Sequence, residues 1–216
     1  FYATDFFLDD AAHRAVILGQ SYGAQGGQVV NVIVDVSDPA KPVIVQRLSH
    51  DGYALEARRV GARVHRVSRF DVPLPAWFYD NEDALQPQRE AWLEASNRDN
   101  QAEMDRIKAA VGAEIRSRLQ AAGAATLLPT LRTGANSAPL SCAAVARPEL
   151  PEAPGLVVID SFNTDGGARA ASAAVNSSWL VYGSADNLYL AQPSFGWRFV
   201  AEQSEETALY RFALSN

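Results

Sequence analysis

Two segments of this chain carry the same strand grammar, and that repetition restricts it to an architecture of stacked β-units. Residues 32–42 read VIVDVSDPAKP, a β-branched run that stops at an Asp-Ser-Asp-Pro turn. Residues 156–167, LVVIDSFNTDGG, echo it more weakly. A second pattern follows each at nearly the same interval: Arg63-Val64-His65-Arg66-Val67 in one copy, Asn187-Leu188-Tyr189-Leu190-Ala191 in the other. Recurrence at this scale belongs to a supersecondary unit that stacks on its neighbours to bury its faces, and a unit of four strands fits the spacing.

The stretches around these echoes read as strand and turn. Phe6-Phe7-Leu8 runs into a turn at Asp9-Asp10 and resumes at Ala15-Val16-Ile17-Leu18. The glycine-rich stretch 19–27, GQSYGAQGG, reads as a flexible connector. Val29–Val36 is nearly continuous β-branched sequence, the mark of a strand covered on both faces. Pro39 and Pro42 close it, since proline cannot donate to a ladder. Asp51-Gly52 is a turn signal, and Gly61 marks a hairpin. After a long interruption, strand grammar resumes at Gly155 with short runs at 156–159, 170–175, 179–182, 188–191 and 208–214.

The interruption reads as helix. Pro87 suits a first helical turn, and Met104, Ile107, Val111, Ile115 and Leu119 recur at three- and four-residue steps, an apolar stripe of one face. Such a stripe packs on its own domain more often than on a partner helix. Asn100 with Glu103 three residues later forms a capping-box pattern, which leaves one helix or two open between Pro87 and Ala122. Gly123 is a stop signal. Residues 124–154, rich in Pro, Ala and Ser, read as a loop returning to the body.

Counting strands from inner to outer gives a concrete layout. The first unit takes 3–8, 14–19, 29–36 and 42–48. The second takes 53–60, 63–69, 155–161 and 169–175, and the third takes 178–184, 187–192 and 206–214 with its outermost strand missing. The expected fold is therefore all-β in the main, a partial β-propeller of about three blades. It forms a single fragment over 1–216, with a helical and loop insertion at 70–154 inside the second blade. A closed ring typically has about four to eight blades, so the chain reads as a piece of a larger propeller. Its opening on Phe1 with no leader fits a processed or excised piece.

The overall balance excludes several functions. A net charge of −6 with scattered cations argues against nucleic acid, which needs a clustered basic surface. No run approaches the ~20 apolar residues of a membrane span. Cys142 is the only cysteine, so there is no internal disulfide framework and no thiolate metal site.

The order of motifs supports a resemblance. VIVDVSDPAKPVIVQRL followed by DGYALEARRVGARVHRV resembles the bacterial secreted proteins with a C-terminal β-propeller domain distantly related to WD40 repeats. LSCAAVARPELPEAPGLVVIDSF is similar to that family's Cys-containing return loop, and WLVYGSADNLYLAQPSF with TALYRFAL to its following blade. The resemblance covers most of the chain apart from the helical region. Two departures are Ala143-Ala144 after Cys142, where acidic residues are common, and His65, where Tyr is usual. The resemblance implies export from the cytoplasm and a propeller scaffold, in that family often with an N-terminal lipoprotein or membrane signal outside this piece. It carries over no catalytic residue.

Individual candidates for chemistry are few. His13, His50 and His65 do not share the short spacing of a metal site and read as surface or strand-packing residues. DSFNTDGG resembles a calcium loop but places Phe162 and Thr164 where ligands belong, so it reads as a turn. GQSYGAQGG lacks the dinucleotide-binding pattern, and although its first five residues, Gly19-Gln20-Ser21-Tyr22-Gly23, match G-x-S-x-G, the stretch opens no helix and so does not read as the strand-to-helix elbow of a serine nucleophile. The candidate ligand-binding patch is Trp77, Phe78, Tyr79 and Asp80, with Glu82 and Asp83 following. Rings beside acids clamp sugars, cations or peptides, although such rings more often fix an insertion of this kind to the body of the propeller.

These readings point to a non-catalytic extracytoplasmic domain for binding or scaffolding, without cofactor or metal. Its expected partners are an unknown protein or glycan and the remaining blades of a parent chain. The alternative is an extracytoplasmic hydrolase or lyase with its site at the propeller channel, where the inner strands YALEARRV and WLVYGSA offer Glu56, Arg58 and Tyr182. A third class is an envelope module that self-associates through its helices.

Overall fold

A β-branched run interrupted only by Asn31 has little polar face to give to water, and Val29–Val34 accordingly forms the middle of a sheet. The computed structural model describes residues 1–23, 26–73, 85–148, 155–176, 178–184, 186–193 and 207–214. In it β3 (Gly26–Asp35) lies between β2 (Arg14–Gly23) and β4 (Val43–Asp51), with β1 (Tyr2–Asp9) beyond β2. β2 and β3 pair without a break from Arg14↔Asp35 to Gly23↔Gly26. The stretch expected to be a flexible connector is therefore mostly strand. Gly19 serves close packing: a side chain there would run into the carbonyl of Tyr2 on β1.

The chain then starts a second sheet with β5 (Tyr53–Val60) and β6 (Arg63–Asp71) before leaving it. Residues 73–127 form a compact unit of their own. That unit holds α1 (Gln86–Asn97) and α2 (Gln101–Ala122). Pro87 lies in the first turn of α1. The Asn100 side chain accepts a hydrogen bond from the backbone N–H of Glu103 at 3.2 Å, so the capping pattern starts a second helix. Ile107 is buried, while Met104, Val111, Ile115 and Leu119 are half-buried.

Residues 128–148, expected as loop, contribute three strands. β7 (Thr130–Thr133) and β8 (Asn136–Pro139) extend the first sheet from the edge of β4, and β9 (Val145–Ala146) pairs in parallel with β11 (Ala170–Val175). β7 and β9 find their partners far away in sequence, so no local pattern announces them, and β8 pairs with β7. β10 (Gly155–Asn163) then pairs with β6 along its whole length, from Gly155↔Asp71 to Asn163↔Arg63. The second sheet has the order β5-β6-β10-β11-β9. β12 (Leu180–Gly183), β13 (Asn187–Pro193) and β14 (Thr207–Ala213) make the third sheet in that order. The three sheets thus carry the strands expected of the three blades.

The sheets stack face to face. Val16, Leu18, Ile33 and Leu48 of the first meet Ala57, Val64 and Phe162 of the second. Val67, Val157 and Ile159 on the opposite face of the second meet Leu188 and Leu190 of the third. At the start of the second sheet, Gly52 has φ 133, its N–H donates to the Gly27 carbonyl at 2.9 Å, and its carbonyl accepts from Gln20 Nε2 at 2.9 Å. A Cβ here would lie 2.6 Å from the Arg69 carbonyl oxygen. Gly52→Ala is expected to cost about 1–3 kcal/mol from backbone strain, measurable as a lowered urea midpoint.

Candidate functional site

The seam between the first and second sheets is lined by apolar residues at one end and by ionisable residues at the other. β4 supplies His50, β6 supplies Ser68, β10 supplies Asp160, and the turn before β11 supplies Arg169. His50 Nε2 lies 2.7 Å from Ser68 Oγ, and Nδ1 lies 3.3 Å from Asp160 Oδ2. The latter is ion-pair distance off the line of a hydrogen bond. Serine on one ring nitrogen and aspartate on the other is the order of a hydrolytic triad. Here, however, all three residues are 0% exposed, and a nucleophile that no substrate can reach performs no hydrolysis.

Arg169 shows what the constellation does instead. Its Nε and one terminal nitrogen donate to the two oxygens of Asp160, each at 2.9 Å. Its remaining bonds reach the Ser49 carbonyl at 3.0 Å, the Arg132 carbonyl at 2.6 Å and Thr133 Oγ1 at 2.9 Å. One guanidinium thus ties the turn before β11 to β4 and β7 of the first sheet, and its fork geometry suits that work. Burial alone pushes the Asp160 carboxyl up, but His50 and Arg169 outweigh it and hold the group below the usual carboxylate range. The seam continues with Asp51, which accepts from Arg132 at 2.6 Å and from the Thr130 N–H at 3.0 Å. At the far end Thr164 donates to Asp9 at 2.6 Å.

Outside that seam the first sheet keeps an apolar face. Ala15, Val32 and Val34 form a small buried cluster there, ringed by Phe6 at 55%, Leu8 at 44% and Ile44 at 50% exposure. These side chains border an open groove of about 760 Å³. Three sheets packed face to face, with an outer apolar face left for another, is the blade arrangement of a propeller. A family model described as the beta propeller domain matches residues 2–216. The chain belongs to the β-propeller family. No curated protein and no solved structure matches it.

The residues singled out from sequence fall in different parts of this propeller. Trp77, Phe78, Tyr79 and Asp80 lie outside the described residues. His13 sits in a turn with φ 52, and His50 and His65 are buried in separate places. No group of three or more metal-ligating side chains exists among the described residues. Glu56, Arg58 and Tyr182 do come together: with Val67, Val181 and Leu188 they line a cavity of about 170 Å³ between β5 and β12. Cys142 is exposed and free. Sequence reasoning missed the His50–Ser68–Asp160–Arg169 network, treating Asp160 as part of a turn and His50 as a lone histidine. Each residue is unremarkable in its own segment, and only the packing of sheets joins them.

Proposed function

We propose that the chain is a non-catalytic binding or scaffolding part of a larger β-propeller outside the cytoplasm. The observation that carries this reading is the apolar outer face of the first sheet. Exposed apolar patches of this extent mark surfaces that another protein element covers, and in a propeller that element is a neighbouring blade of the parent chain. Export rests on the resemblance of the strand motifs to secreted proteins. The partner of the assembled domain is a protein or a glycan.

The cavity at Glu56, Arg58 and Tyr182 favours one other reading, an extracytoplasmic hydrolase or lyase, because a carboxylate and a phenol can share proton transfer. A panel of ester, glycoside, peptide and uronide substrates separates the two readings, together with a serine-directed fluorophosphonate. The expected result is no turnover and no labelling at Ser68. Turnover that disappears in a folded Glu56→Gln variant would replace the binding reading with the enzymatic one.

A further inference from the structure

The cleft between the second and third sheets takes no part in the network or the face described above. Arg63 and His65 of β6, Ser161 of β10, Ser172 of β11 and the β14 edge at Arg211 and Phe212 line it, and its volume is about 460 Å³. Ligand cavities commonly span about 300–1,000 Å³ with a few polar groups in an apolar wall. The whole chain carries a net charge of −6. Yet two arginines and a histidine meet here, and none of the described lining residues is a carboxylate.

Two nitrogens in this wall are left over. His65 is 3% exposed and its Nδ1 lies 2.8 Å from Ser161 Oγ, while Nε2 is buried with no partner among the described residues. Arg63 gives one terminal nitrogen to Asn163 Oδ1 and the Ala168 carbonyl, both at 3.1 Å, and its Nε is likewise buried without a partner. Burial, helped by the nearby Arg63 charge, holds the His65 imidazole below its ordinary range, so the ring is neutral near pH 7. Where the Ser161 hydroxyl donates to Nδ1, the ring proton lies on Nε2, and in that tautomer Nε2 is a donor. A buried donor without an acceptor is costly. A ligand rich in acceptors relieves both.

We propose that this cleft binds a small oxyanion, a carboxylate or phosphate group, held by Arg63, His65 and Arg211. The apolar wall beside them takes the uncharged part of the same ligand. This goes beyond the scaffold reading and stands on the cleft alone, so its failure would leave that reading in place.

The test is a titration of the full chain with inorganic phosphate and, separately, with malonate at constant ionic strength, following the His65 ring nitrogens by NMR. A saturable shift with at least one anion is expected, and the tighter of the two distinguishes a phosphoryl ligand from a carboxylate. Sodium chloride alone is expected to leave the ring signals in place. Arg211 is exposed, so Arg211→Gln is expected to fold as the wild type and to bind about tenfold more weakly. Arg211→Lys, which keeps the charge but loses the fork, is expected to fall between them. No saturable shift with either anion, an equal response to chloride, or wild-type affinity in Arg211→Gln would overturn the proposal.

Discussion

Replacing Asp160 by alanine is expected to destabilise the protein by about 3–5 kcal/mol, the usual result of removing one member of a buried ion pair. Arg169 would keep its bonds to Ser49, Arg132 and Thr133 but would hold a charge next to an empty position. His50 would lose its anionic neighbour. Ser68→Ala removes a single hydrogen bond to His50 and is expected to cost about 1–3 kcal/mol. Urea unfolding of the two variants makes the comparison. A catalytic triad would show the reverse emphasis, with Ser68 vital to activity and stability nearly indifferent to it.

The same network sets a pH dependence. Asp160 has a folded pKa below its unfolded value, so its stabilising contribution is complete above about pH 3.9 and is lost as pH falls through the lower folded value. Asp51 acts in the same direction. His65 adds an earlier window. Its folded pKa is also depressed, so below about pH 6.5 the unfolded chain takes up a proton that the folded chain refuses, and stability declines. Stability is therefore expected to fall in two stages on acidification. Asp160→Ala removes much of the lower stage and leaves the upper one intact.

The contrast between Asp160 and Asp35 explains what the sequence could and could not reveal. The two aspartates align in the echo of VIVD with VVID, and that echo correctly assigned both segments to the third strand of a sheet. Strand side chains alternate with a period of two. In β3 this puts Asp35 on the face of Ile33, turned to the second sheet, whereas in β10 it puts Asp160 on the face of Phe162, turned to the first. A one-residue offset reverses every side chain, so the repeat gave the strands and hid the site. Helical periodicity and the Asn100 cap were equally legible because they are local. β7, β8 and β9 were not, since Thr130–Thr133 becomes a strand against the edge that β4 offers and Asn136–Pro139 adds to it in turn. Glu56, Arg58 and Tyr182 line one cavity because β5 and β12 are each the first strand of their sheets.

Phe162→Ala is expected to cost a further about 3–5 kcal/mol, as truncation of a large aromatic in a closed core does. Phe162 is fully buried, packed with Ala57 and Val64 of its own sheet against Val16, Leu18, Ile33 and Leu48 of the first, so the cavity would open between two sheets rather than inside one. Loss of cooperativity should accompany loss of stability, with a shallower urea transition than that of Gly52→Ala. Ile44 on the outer face of the first sheet is the internal reference. It is 50% exposed, and Ile44→Ala in this chain is expected to change stability by less than about 0.5 kcal/mol. In a longer protein whose next blade covers that face, the same substitution should approach the cost of a core truncation, about 2–5 kcal/mol. Equal, small effects in both settings would show that no blade packs there, because burial alone separates the two environments of the same side chain.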